Sequence, residues 1–227
     1  MDFPQWQLHR GFWKEGIREN TLAAFEKAKE MNCEMVEMDV QLSRDGQYHV
    51  FHDFSLKRMF HVNQKVGQTS SEDLSGLGIP LLKDILKSDQ VPQCLNIEVK
   101  SMGLSWRRVK GLLELLRPFH KKKKVMVSSF NPWVIFWISR WQSELPRALI
   151  VGEQKILMSP LFDQYIKWTQ PHFINCHYSF IDEAPLRDRV LQFKKPLMLW
   201  TVNDYSKARF YLKRGARSII SDLPPPQ

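Results

Sequence analysis

The chain has 227 residues, 43% hydrophobic and 25% charged, which excludes a disordered or fibrous polymer and allows a sizeable core without disulfides or structural metal. Lysine and arginine number 33 against 24 acidic residues, a net charge of +9, so the expected partners are anionic: phosphate esters, nucleic acid or an acidic membrane surface. The longest apolar run, residues 133–138, is far short of a transmembrane helix.

In chain order, strand-like runs fall at 5–9, 35–41, 95–100, 125–129, 147–151, 173–177, 197–202 and 218–221. Between them lie amphipathic stretches. Asn20 is placed to cap a helix whose Leu22, Phe25 and Ala28 share a face, and helical patterns follow at 106–120, 132–144, 159–169, 184–193 and 205–214, with Gly215 at a C-cap position. Eight strands alternating with helices predict one α/β domain over 1–227, a (β/α)8 TIM barrel, with an open doubly wound sheet as the alternative.

Two segments break the alternation. Asp45-Gly46 follows the second strand and signals a hairpin arm over 47–52. With those two residues as the turn, Asp39 faces His52, so Glu37, Asp39 and His52 share one side, and His49 falls on the other. The second is a short lid insertion, residues 54–79, in which Thr69-Ser70-Ser71-Glu72 resembles a capping box.

Polar clusters stand at the strand ends, where a barrel builds its site: His9-Arg10, Glu37-Met38-Asp39, His52-Asp53 and Glu98-Val99-Lys100. Glu37, Asp39 and Glu98 suit one hard divalent cation, Mg2+ or Ca2+, because such ions take oxygen ligands. Arg10 offers a planar fork to phosphate oxygens and Lys100 a point charge. His9 and His52 titrate close enough to neutrality to divide acid and base work. Together these point to cleavage of a small phosphodiester. Other imidazoles read as supporting: His61 as a solvated lid residue, His177 as a strand-end residue near the mouth, and His120 as preceding Lys121–Lys124, a solvated helix end.

At this point the chain resembles the glycerophosphodiester phosphodiesterases of the phosphatidylinositol-phospholipase-C-like barrel superfamily. The resemblance is carried by His9-Arg10-Gly11, Glu19-Asn20-Thr21, Glu37-Met38-Asp39-Val40, Ser43-Arg44-Asp45-Gly46, Val50-Phe51-His52-Asp53, Asn96-Ile97-Glu98-Val99-Lys100, Trp200-Thr201-Val202-Asn203 and Ser221-Asp222-Leu223-Pro224. It implies His9 and His52 as the acid–base pair and Glu37, Asp39 and Glu98 as ligands of Mg2+ or Ca2+. It also implies Arg10 and Lys100 on the phosphate and Trp200 as an aromatic wall beside glycerol. The implied reaction is metal-dependent hydrolysis of glycerophosphodiesters to glycerol 3-phosphate and an alcohol. A lid shorter than in many relatives leaves room for lysolipids, so a lysophospholipase D acting at membrane surfaces is the alternative.

A nucleic-acid-binding module is not expected, because the one dense basic cluster, Lys121–Lys124, has no interleaved aromatics. Peripheral membrane contact stays open, although Trp133, Phe136, Trp137 and Ile138 read first as core or surface aromatics. With no basic and apolar leader at the N-terminus, a cytoplasmic protein is expected. Cys33, Cys94 and Cys176 lack CxxC spacing and read as buried reduced thiols.

Overall fold

Short runs rich in Val, Ile and Leu, buried on both sides, form parallel strands, and the amphipathic stretches between them pack outside. The computed structural model describes residues 2–100, 105–119 and 121–226. Its strands are β1 (Trp6–His9), β2 (Met35–Leu42), β3 (Tyr48–Val50), β4 (Cys94–Val99), β5 (Lys124–Ser129), β6 (Arg147–Val151), β7 (Phe173–His177), β8 (Leu197–Trp200) and β9 (Ala216–Ser221). Their order is β1-β9-β8-β7-β6-β5-β4-β2-β3, and β1 also pairs with β2. Eight parallel strands therefore close into a barrel, and β3 is an antiparallel arm on β2.

Alternate residues of each strand point inward, which stacks the interior in layers. Phe3, Met35, Cys94, Met126, Ala148, Phe173 and Met198 form an apolar floor. Above it four buried polar side chains satisfy one another. Gln7 donates to Ser218 Oγ (3.1 Å), Asn96 donates to Gln7 Oε1 (2.9 Å), and Ser128 donates to Asn96 Oδ1 (2.8 Å). The inward residues one step further up, His9, Asp39, Glu98 and Trp200, stand at the C-terminal ends of their strands. Two larger apolar cores lie between barrel and helices, one around Leu8, Phe25 and Leu112, the other around Phe162, Ile174 and Tyr211.

Four local expectations are corrected. The hairpin pairs Val40 with Val50 and Leu42 with Tyr48, one residue off the expected register. Its loop has three residues, closed by Ser43 N–H to Gln47 O (2.9 Å), and Gly46 takes the left-handed φ of 81° that this loop requires. Asp39 is thus level with Phe51, whose N–H it accepts at 2.9 Å, and His52 lies beyond the end of β3. Thr21, not Asn20, caps the first helix, accepting from Ala24 N–H at 3.2 Å. In the lid the cap is Ser70 on Asp73 N–H (3.1 Å), one residue later than Thr69 on Glu72. Lys123 is buried, its ammonium donating to the carbonyls of Ser88 (2.9 Å) and Val91 (3.3 Å), and Lys124 opens β5. The expected solvated lysine run is therefore partly a strand entry.

The helix expected over 106–120 spans Trp106–Leu116, and His120 lies outside the described residues. Residues 54–79 are folded, with Leu56, Val66, Leu74 and Ile79 packed on Phe51. His49 ties this insertion down: its ring nitrogens meet Ile79 O (3.2 Å) and Ser71 Oγ (2.8 Å). The three cysteines are free and buried, and burial raises the thiols of Cys33 and Cys176 to about 11 and about 12. Among the described residues no helix is long and apolar enough to cross a membrane.

Candidate active site

The end of β1 is bent sharply to aim its residues. Arg10 takes a left-handed φ of 58° and Gly11 one of 75°; a Cβ on Gly11 would meet the Ala24 backbone at 2.8 Å, so only glycine fits. Arg10 N–H is held by Glu37 O at 3.0 Å. A left-handed arginine is strained, and its cost is tolerated where it sets up a site.

That turn leaves His9 facing a cavity of about 300 Å³. Glu37, His52, Glu98, Lys100 and Arg10 line it together with the apolar Phe130, Ile150, Trp200 and Ile220 and the polar Asn175 and Thr201. The eight residues expected at the site fall in two groups. Seven of them, His9, His52, Glu37, Glu98, Arg10, Lys100 and Trp200, line this cavity directly. The eighth, Asp39, lies behind them, 1% exposed, within reach of Arg10 and Lys100.

Glu37, Asp39 and Glu98 each offer an oxygen within 4.8 Å of the others, the one such acidic group among the described residues. Burial, with the neighbouring Asp39 charge, pushes the carboxyls of Glu37 and Glu98 above their ordinary range. Burial acts on Asp39 in the same sense, but Lys100 and Arg10 overcome it and hold that carboxyl low. Lys100 Nζ lies 2.8 Å from Asp39 Oδ1 and also bonds Glu98 Oε1, and Arg10 Nε is 3.3 Å from Asp39 Oδ2. Glu37 Oε1 is buried without a hydrogen-bond partner. Three convergent carboxylates with a bare buried oxygen are a donor set that fits a hard divalent cation.

Each imidazole is backed by a carboxylate. His9 Nδ1 meets Asp222 Oδ1 at 2.7 Å, which leaves Nε2 toward the cavity, 3.9 Å from Glu37. His52 Nδ1 meets Asp53 Oδ1 at 2.6 Å. Such a partner fixes tautomer and ring orientation. Burial lowers His9, but the Asp222 hydrogen bond and the Glu37 charge outweigh it, and the ring ends above its usual value. Burial keeps His52 below its usual value, against the opposing pull of Asp39 and Asp53.

Several residues of this network carry no sequence signal beyond the quoted motifs. Asn20, 1% exposed, clamps Asp39: its Nδ2 donates to Oδ2 at 2.8 Å and its Oδ1 accepts Asp39 N–H at 3.2 Å. Gln41 Nε2 gathers the carbonyls of Phe51, His52 and Asp53 at 3.0, 3.0 and 2.6 Å, which turns the chain after β3 and brings His52 back over the barrel. Arg58 of the lid joins Asp53 (2.5 Å) to Glu19 (2.5 Å), and Glu19 also holds Arg10 at 3.1 Å. Asn203 braces Asp222 from behind at 2.6 Å. His177 packs against Trp200 (5.3 Å) and bonds Ser179, which makes it support for the wall; His61 is exposed on the lid.

Gln41→Ala is expected to lower turnover about tenfold through misplacement of His52, with a stability loss of about 1 kcal/mol. Steady-state kinetics beside a thermal melt checks this; unchanged turnover would remove Gln41 from the positioning of His52.

Paired imidazoles beside a carboxylate cluster, with the basic side chains of Arg10 and Lys100, at the mouth of a (β/α)8 barrel define a phosphodiester hydrolase. The chain belongs to the glycerophosphoryl diester phosphodiesterase family, whose signature matches residues 9–225. It is similar to a glycerophosphodiester phosphodiesterase of Bacillus altitudinis, 27% identical over 95% of this chain and 93% of that one. It is also similar to a lysophospholipase D of Mus musculus, 22% identical over 95% and 82% of the two chains. Among solved structures, an Oleispira antarctica phosphodiesterase in complex with the product sn-glycerol-3-phosphate superposes with a TM-score of 0.82, at 25% identity, over 97% of this chain and 94% of that one.

Proposed function

We propose that residues 1–227 act as one unit that cleaves glycerol phosphodiesters to sn-glycerol 3-phosphate and a free alcohol with one divalent cation, Mg2+ or Ca2+. The observation that carries this reading is the pair of carboxylate-backed imidazoles, His9 and His52, facing one cavity that also holds Glu37 and Glu98. The product bound by the Oleispira antarctica relative supports the choice of glycerol 3-phosphate.

In this reading Glu37, Asp39 and Glu98 hold the cation. When bound, it supplies positive charge to phosphate oxygens and to an attacking hydroxyl. Arg10 and Lys100 receive the remaining phosphate oxygens and neutralise charge as it builds. One imidazole takes the proton of the attacking hydroxyl as the new P–O bond forms. The other gives its proton to the departing alkoxide as the old P–O bond breaks. Where water attacks, the products form directly. Where the neighbouring glycerol hydroxyl attacks, a water then opens the cyclic phosphate with the two rings exchanging roles, so either route consumes one water. Asp222 and Asp53 keep each Nδ1 engaged and each Nε2 free for this work. Trp200 and Phe130, in edge contact at 5.8 Å, wall the carbon skeleton, and Gly152 leaves room for both rings.

A second reading, lysophospholipase D action on lysolipids, is favoured by the apolar side chains of Phe130, Ile150, Trp200 and Ile220 in the cavity wall, Phe130 being 48% exposed. A substrate panel separates the two. Glycerophosphoethanolamine and glycerophosphocholine are expected to yield glycerol 3-phosphate faster than lysolipids yield lysophosphatidic acid. Faster cleavage of lysolipids would install the second reading, and no cleavage of either would remove both.

A further inference from the structure

The helix Pro132–Trp141 is apolar on two faces. Val134, Ile135 and Ile138 are buried against the barrel, as an outer helix requires. Trp133 and Trp141 are exposed where a barrel's outer surface ordinarily carries charge, Phe136 and Trp137 lie half-buried between them, and Arg140 is the only charged residue of the helix. Their rings continue onto both neighbouring helices. Trp106, of Trp106–Leu116, lies 5.8 Å from Trp141, which stacks on Trp137 at 4.9 Å. Trp137 meets Phe136 at 5.0 Å, Phe136 meets Trp133 at 5.8 Å, and Trp133 meets Trp168, of Pro160–Thr169, at 6.4 Å. Trp106, Trp133, Trp141 and Trp168 are 41–47% exposed. An unbroken aromatic belt of this extent is unusual on a surface that contacts only water.

We infer that this belt docks the protein on an anionic lipid surface. Tryptophan suits that interface, with an apolar ring and a wet N–H. Cations accompany the rings: Arg107 lies over Trp106 at 5.4 Å and Arg140 over Phe136 at 5.1 Å. The three helices carry Arg107, Arg108, Lys110, Arg140 and Lys167 against only Glu114 and Asp163. That balance complements anionic headgroups. It also disfavours a second copy of the chain, which would bring a like-charged face and a further net +9. The belt runs on toward the cavity: Trp133 follows Phe130 by three residues, and the Phe130 ring is both exposed and part of the cavity wall. The inference deepens the functional reading, since a lipid surface is where lipid-derived diesters are met, but docking itself requires no hydrolysis.

Flotation with vesicles tests it without reference to activity. The wild type is expected to float with vesicles of phosphatidylglycerol and phosphatidylcholine in equal parts, and not with phosphatidylcholine alone. Trp133→Ser/Trp141→Ser/Trp168→Ser, and separately Arg107→Glu/Arg140→Glu, are expected to bind the mixed vesicles at least about tenfold more weakly. Both variants should keep their melting curves and cleave soluble glycerophosphoethanolamine within about twofold of wild type, since none of these residues lines the cavity. Should the tryptophan variant fail to fold, the arginine pair carries the test. Absence of vesicle binding by the wild type, or undiminished binding by the folded variants, would overturn the inference. So would a dimer in gel filtration that the tryptophan variant dissolves, because a second copy would then be the occupant. Vesicle binding by a protein that cleaves no diester would count against the hydrolase reading alone.

Discussion

His9→Ala and His52→Ala each lower turnover of glycerophosphodiesters by at least about a hundredfold, the lower range for a positioned acid or base. Circular dichroism should remain that of the wild type, because both rings stand at the barrel mouth and neither belongs to an apolar core. The two losses differ in kind. In the proposed mechanism each ring serves a different proton, so each variant should lose a different limb of the bell-shaped pH–rate profile. Removing the carboxylate behind a ring should mimic its loss in part: Asp222→Asn leaves His9 in place with its tautomer no longer imposed. Near-wild-type turnover in either alanine variant would refute the assigned roles.

Glu37→Gln has the second large effect, and its sign is opposite for function and for stability. The amide keeps the shape but removes one of three charges that converge within 4.8 Å. Calorimetric titration should find cation affinity lowered at least about tenfold, with activity lost in proportion. In chelator, however, the variant should melt no lower than the wild type. Burial and the Asp39 charge raise the Glu37 carboxyl above its unfolded value, so the folded state holds this proton more tightly than the unfolded one. For an acid shifted upward, stability is lost as pH rises out of the ordinary carboxylate range and through the folded value. Melting curves of wild type and variant without cation should therefore separate as pH rises, the wild type falling further. Identical pH dependence of the two would show that Glu37 is not held against its charge.

The barrel was legible because parallel strands buried on both faces appear as compact apolar runs, and two of the eight, 147–151 and 173–177, match their observed bounds at both ends. The acidic cluster was legible because alternation puts Glu37 and Asp39 on one face of β2 and Glu98 stands near the end of the next barrel strand, β4. His52 reached the expected place by a different route. The hairpin register is set by a three-residue loop with a left-handed Gly46, and His52 lies past the ladder, returned by Gln41. No periodicity announces a side-chain amide gathering three carbonyls. The Asp222 partner of His9 lies at the far end of the chain, where only closure of β9 on β1 brings it near. Asn20 satisfied the composition rule for a cap, yet its left-handed φ of 57° turned its amide onto Asp39 and passed the cap to Thr21.

In the proposed mechanism, cation capture by Glu37, Asp39 and Glu98 makes the two histidines productive. The direct measurement is release of glycerol 3-phosphate from glycerophosphoethanolamine by protein stripped with EDTA, before and after addition of Mg2+ or Ca2+. Silence in chelator and recovery with one of these ions is the predicted result. Undiminished release from the stripped protein would contradict it.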